Sequence, residues 1–223
     1  MANFVLVHGA WGSSAGYDRI AEGLFTAGHR VIAANLSGLG KWRDRMNACI
    51  TLTDHIDDVC RQIEQTGFER FILVGHSYGG MVITGVATRL GAGIDAIAYI
   101  DAFLPKDGES LWDITGEFEH NHYIDSQKFK PGYVTPIMGA DHPGKSPHPL
   151  LTLVEAVEFT GEEAKIPRRC YIFAKSWEPT PFRRFYNEVE DDPSWEVHVA
   201  DSGHAVMNDQ PEQLLEILLG LAG

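Results

Sequence analysis

The chain has 223 residues, 44% of them hydrophobic and 22% charged, which is an ordinary globular composition with enough apolar residues for one sizeable core. Its 31 Asp and Glu against 18 Lys and Arg give a formal net charge of -13, so no basic stripe is available to neutralise a nucleic-acid backbone or an anionic membrane surface. The opening Met1-Ala2-Asn3 is uncharged, the first apolar run ends at His8-Gly9, and Cys49, Cys60 and Cys170 have no metal-ligand or disulfide spacing, a combination that predicts a cytoplasmic protein.

In chain order, residues 4–7 form the first predicted strand, followed by a helix over 14–27 and a strand over 30–34. A second helix is expected over 53–66, where Ile56, Val59, Cys60 and Ile63 recur at i, i+3, i+4 and i+7, with Thr53 as N-cap and Gly67 as the stop. Then come a strand over 70–74, a helix over 80–90 closed by Gly91, and a strand over 94–100. Later strands fall at 170–174 and 196–199, and a last helix opens at Asp209-Gln210-Pro211 and runs through Leu218.

The apolar runs lack period-2 alternation, which marks strands buried on both faces. Alternating with helices, they predict one α/β domain over 1–223, a mostly parallel sheet with helices on both sides. Residues 102–167 break the rhythm: they hold seven of the 11 prolines and no convincing strand, and they read as an insertion capping the sheet.

Gly75-His76-Ser77-Tyr78-Gly79-Gly80 follows an apolar strand and opens a helix, the setting in which a serine is pushed up on a sharp turn and exposed as a nucleophile. Serine needs a base, and His204, in Asp201-Ser202-Gly203-His204 just after the last predicted strand, is the histidine placed to reach back over that turn. The glycine-rich turn Val7-His8-Gly9-Ala10-Trp11-Gly12 ends the first strand, so the amides of Ala10 and Tyr78 are the expected donors to an oxyanion. Two carboxylates compete to orient His204: Asp101, directly after its strand, and Glu178 in Lys175-Ser176-Trp177-Glu178-Pro179. His8 and His76 are expected to hold their turns by hydrogen bonds. The cap histidines His120, His122, His142 and His148 have no spaced cysteine or carboxylate companion, so neither a metal nor a cofactor is expected.

Taken in this order, the three motifs resemble the α/β-hydrolase superfamily, and within it the plant methylesterases and hydroxynitrile lyases and their bacterial esterase relatives. The resemblance implies cofactor-free hydrolysis of a small ester, often a methyl or aromatic one, through an acyl-enzyme on Ser77. The lyases have a threonine in the oxyanion turn and a lysine after the histidine, where this chain has Ala10 and Ala205, a pattern that favours an esterase. The same resemblance puts the family's aspartate at Trp177, so Glu178 fits only with a one-residue shift. A carbon–carbon lyase, a thioesterase and a slow-turnover ligand receptor are the alternatives on this scaffold. The expected partner is a small-molecule ester; a homodimer stays open.

Overall fold

The computed structural model describes residues 1–137 and 145–223; His142 lies outside them. The chain opens with β1 (Asn3–Val7), α1 (Asp18–Thr26), β2 (Arg30–Ala33), α2 (Leu52–Thr66), β3 (Phe71–His76), α3 (Gly79–Leu90) and β4 (Ile94–Ile100). The cap follows with β5 (Glu109–Ser110), α4 (Leu111–Ile114), α5 (Glu117–Phe129), β6 (Tyr133–Val134), β7 (His148–Pro149), α6 (Leu151–Val154) and β8 (Ala156–Val157). The chain then returns as β9 (Arg169–Ala174), α7 (Arg183–Val189), β10 (Trp195–Ala200), α8 (Val206–Asp209) and α9 (Pro211–Gly220).

Six strands form one sheet in the order β10-β9-β4-β3-β1-β2, with every neighbouring pair parallel. Successive residues of a strand point to opposite faces, and here both faces are covered. Val5, Leu73, Ile97, Tyr171 and Phe173 pack with Val59 and Ile63 of α2, Val82 and Val86 of α3 and Phe185 of α7. Phe4, Ile72, Val74, Ala98 and Ile172 pack on the other side with Ile20 and Leu24 of α1 and Leu214 and Leu218 of α9. Fully burying one such Leu, Ile, Val or Phe side chain is worth roughly 1.5–3 kcal/mol, so the unbroken apolar runs are what commit the chain to this sandwich. No helix among the described residues is long and apolar enough to cross a membrane.

Local details depart from the sequence expectations. α2 is capped by Thr51, not Thr53: the Thr51 side chain accepts from the Asp54 amide while the Asp54 carboxylate accepts from the Thr51 amide. Thr53 instead donates its amide and hydroxyl to Glu155 in the cap. Gly67 is the left-handed stop of α2 (φ 69°), whereas Gly91 keeps right-handed helical angles (φ -49°) and leads into a 3-10 turn. The cap carries two short antiparallel pairs, β5 with β8 and β6 with β7, too brief to leave a pattern. α7 was not expected, although Phe182, Phe185 and Val189 are buried at helical spacing.

Parallel strands bring their carboxyl ends to one edge. The turn after β1 carries Ala10, β3 delivers Ser77, β4 delivers Asp101, and the loop after β10 carries His204.

Candidate active site

Backbone strain concentrates at this edge. Among the described residues, the non-glycine residues with positive φ are Trp11 (58°), Ser77 (56°) and Asp101 (40°). Such angles are costly for side chains with a Cβ, and a structure keeps them where surrounding contacts enforce them. At Ser77 they do: its amide donates to the Ile100 carbonyl (3.2 Å), and its carbonyl accepts from the Gly80 amide (2.9 Å) and the Phe103 amide (3.2 Å). The sharp turn also needs glycine on both sides. A Cβ on Gly75 would stand 2.7 Å from the Gly79 carbonyl oxygen, and one on Gly79 would stand 2.6 Å from that of Val7.

Asp101 is fully buried. Its amide donates to the Ile172 carbonyl (2.7 Å), and its Oδ1 accepts from the Ala174 amide (3.2 Å), so β9 fixes both ends of the residue. Its Oδ2 lies 2.7 Å from His204 Nδ1. With the proton on Nδ1, directed at the carboxylate, Nε2 is left as the accepting nitrogen. The loop that presents His204 is tied down by the Gly203 amide donating to Asp209 (2.9 Å) and by His76 Nε2 donating to the His204 carbonyl (2.8 Å). The imidazole is walled by Phe182, parallel at 5.0 Å between ring centres, by His76 at 4.4 Å and by Trp177 at 4.6 Å.

Burial penalises every charge in this pair. It pushes the Asp101 carboxyl up to about 8, opposed by the Ala174 amide and helped by Glu178. It pushes the His204 imidazole down to about 3, helped by the nearby Lys145 charge. The two groups titrate as a unit.

The turn after β1 is fastened to the cap: Trp11 Nε1 donates to the Val134 carbonyl (3.0 Å) and the Ser146 amide donates to the Trp11 carbonyl (3.2 Å). His8 Nδ1 bonds the Gly9 carbonyl (2.8 Å), and the Tyr78 hydroxyl bonds His55 Nδ1 (2.9 Å). Neither the Ala10 nor the Tyr78 amide donates a hydrogen bond to another described residue. Ser77, His204, Ala10 and Tyr78 all line one cavity of about 910 Å³ between sheet and cap.

The structure thus brings Ser77, His204, Asp101, Ala10 and Tyr78 together at one place. Glu178 is elsewhere: it pairs with Arg183 on the surface and does not line the cavity. The described cap histidines bond within the cap, His120 to the Trp112 carbonyl, His122 to the Thr135 carbonyl and His148 to Thr152. No cluster of three or more potential metal ligands occurs among the described residues. The wall around His204 leaves little trace in the sequence: Trp177 stands out only as a departure from the family's aspartate, and Phe182 lies in the stretch before the unexpected α7. Lys145, which also lines the cavity, left no signal at all.

Residues 4–217 match the model of the alpha/beta hydrolase family. The chain is similar to a carbendazim hydrolyzing esterase of Nocardioides sp., 36% identical over 99% of this chain and 100% of the relative, and to methylesterase 18 of Arabidopsis thaliana, 24% identical over 99% and 97%. Among solved structures, an extracellular alpha/beta-hydrolase from a Paenibacillus species superposes with a TM-score of 0.85 at 21% identity, covering 99% of each chain. Polyneuridine aldehyde esterase superposes at 0.76 and 21%, covering 100% of each. The chain therefore belongs to the alpha/beta hydrolase family, as an enzyme of the carboxylesterase type.

Proposed function

We propose that the protein hydrolyses a small carboxylic ester through an acyl-enzyme on Ser77. The observation that carries this reading is the 2.7 Å contact between His204 Nδ1 and the fully buried Asp101, in a cavity that Ser77 shares. His204 Nε2 takes the proton of the Ser77 hydroxyl as Oγ attacks the ester carbonyl, and the Ala10 and Tyr78 amides receive the oxyanion. The tetrahedral adduct collapses as His204 passes that proton to the departing alcohol. A water then gives one proton to His204 and its hydroxyl to the acyl carbon, and as the acid leaves His204 returns that proton to Ser77 Oγ. Asp101 holds the imidazole in the tautomer this needs and offsets its charge.

A cavity of about 910 Å³ with aromatic walls such as Trp11, Phe103 and Trp177 suits a compact, partly apolar ester. The test is a panel of p-nitrophenyl and methyl esters of increasing acyl size, with carbendazim included because the Nocardioides relative is named for it. Turnover should be abolished by Ser77→Ala, and a fluorophosphonate should leave a single adduct on Ser77. More than a few per cent of wild-type activity in pure Ser77→Ala would overturn the assignment.

A further inference from the structure

Among the described residues, two charged side chains line the cavity, Glu119 and Lys145. Glu119 is already engaged, its carboxylate accepting from the Gly116 amide (3.0 Å) at the start of α5. Lys145 is placed differently. The residue after it, Ser146, bonds the Trp11 carbonyl (3.2 Å), which holds this part of the cap against the turn after β1. Lys145 lines the same cavity as His8, His76, Ser77 and His204. Among the described residues, no carboxylate lies within ion-pairing distance of it.

We propose that Lys145 is the anion-recognising group of this cavity, binding a carboxylate that the substrate carries beside its ester, so that the preferred substrates are half-esters of dicarboxylic acids. The oxyanion has its donors in the Ala10 and Tyr78 amides, which leaves the ammonium for a charge present in the substrate from the start. Partial burial already strips some water from Lys145 and lowers its pKa. A carboxylate arriving there replaces lost hydration with a charge-assisted hydrogen bond. One lysine in a chain of net charge -13 matches a single negative charge and not a polyanion.

The ester part of this inference rests on the esterase reading; the anion part does not, and binding measurements separate them. Monomethyl terephthalate and its neutral primary amide would be titrated calorimetrically into Ser77→Ala, which cannot turn them over. The anion should bind about ten- to hundredfold more tightly than the amide. Adding Lys145→Met should bring the two ligands within about threefold, and Lys145→Arg should keep most of the preference. In the Ser77 enzyme, the ratio of kcat/KM for the same pair should follow the same order. Equal binding of anion and amide, no binding of either, or a preference that survives Lys145→Met would overturn the proposal, and so would an equal loss on both ligands, which would make Lys145 a contact that does not read the anion. Discrimination at Lys145 without turnover of any ester would leave the anion subsite standing and remove the esterase reading.

Discussion

His204 Nδ1 meets Asp101 Oδ2 at 2.7 Å although 103 residues separate them in the chain. The contact exists because β4 and the loop after β10 end on the same edge of a parallel sheet, with β9 between them holding Asp101 Oδ1 through the Ala174 amide. Replacing Asp101 by Asn keeps an oxygen for Ala174 but presents an NH₂ group to His204, which then favours the tautomer with its proton on Nε2. Asp101→Asn should therefore lower kcat by ~10⁴ with little change in melting temperature, the scale of loss when a triad carboxylate becomes an amide. Glu178→Gln removes an exposed ion pair with Arg183 and the smallest of the influences on the Asp101 carboxyl, and should leave kcat within about twofold. The opposite ranking of these two variants would move the acid to the loop after β9.

The pH dependence of turnover should report the pair, not an isolated histidine near 6.5. The form that accepts the Ser77 proton has Asp101 as carboxylate and His204 neutral, a buried net charge of -1. Burial disfavours that charge, so the pair holds its first proton up to about 8, while a second proton, on His204, enters only at about 3. As pH falls through about 8 the active form is lost, so kcat/KM should rise with pH along one limb centred above 6.5, with no second limb down to pH 5. A profile flat from pH 6 to 9 would contradict this.

Stability should fall in mild acid, and for residues outside the pair. His8, His55 and His148 are buried and His76 is half-buried, and each imidazole is held below its ordinary value, chiefly by desolvation, His8 down to about 4. The unfolded chain takes up protons near 6.5 that the folded chain refuses, so the contribution of these four imidazoles is fully present above that value and is lost as pH falls below it, for His8 down to about 4. Within its window His8 costs up to about 1.4 kcal/mol per pH unit, and the other three act in the same direction. Urea midpoints at pH 7.5, 6.0 and 5.0 should decrease in that order; equal midpoints would mean that the imidazoles are accessible to solvent protons.

Much of this was legible in the sequence because the sheet is buried on both sides. Residues 94–100 could be read to the residue as a strand, since apart from Asp95 near its start both faces of Ile94–Ile100 are apolar. Ser77 and His204 were legible for a different reason, because short glycine turns after strands leave few residue types possible. What sets His204 in place was hidden. Trp177 and Phe182 touch it through loops whose path depends on tertiary packing, and the two-residue strands of the cap are shorter than any periodicity can register. Between Asp101 and Glu178 the sequence offered only spacing, and burial is what separates them: Asp101 is fully enclosed, while the Glu178 side chain is 43% exposed.

The resemblance to plant methylesterases places an aspartate where this chain has Trp177, and the structure gives that mismatch a physical meaning. The Trp177 ring sits 4.6 Å from the His204 ring, centre to centre, so the loop after β9 reaches the imidazole through this side chain. Asp101 meets Nδ1 from β4, and from the loop after β9 the imidazole meets an indole in place of a carboxylate. A second acid is then excluded from the site, which matters because two carboxylates at one imidazole would repel each other and raise the pKa of both. Trp177→Asp alone should consequently lower kcat, through the added charge and the lost aromatic wall. In the Asp101→Asn background the same change supplies the missing carboxylate and should restore at least tenfold of the lost turnover. If the double variant is no faster than Asp101→Asn, the loop after β9 cannot aim a carboxylate at His204, and Asp101 on β4 is the one position from which this fold orients its histidine.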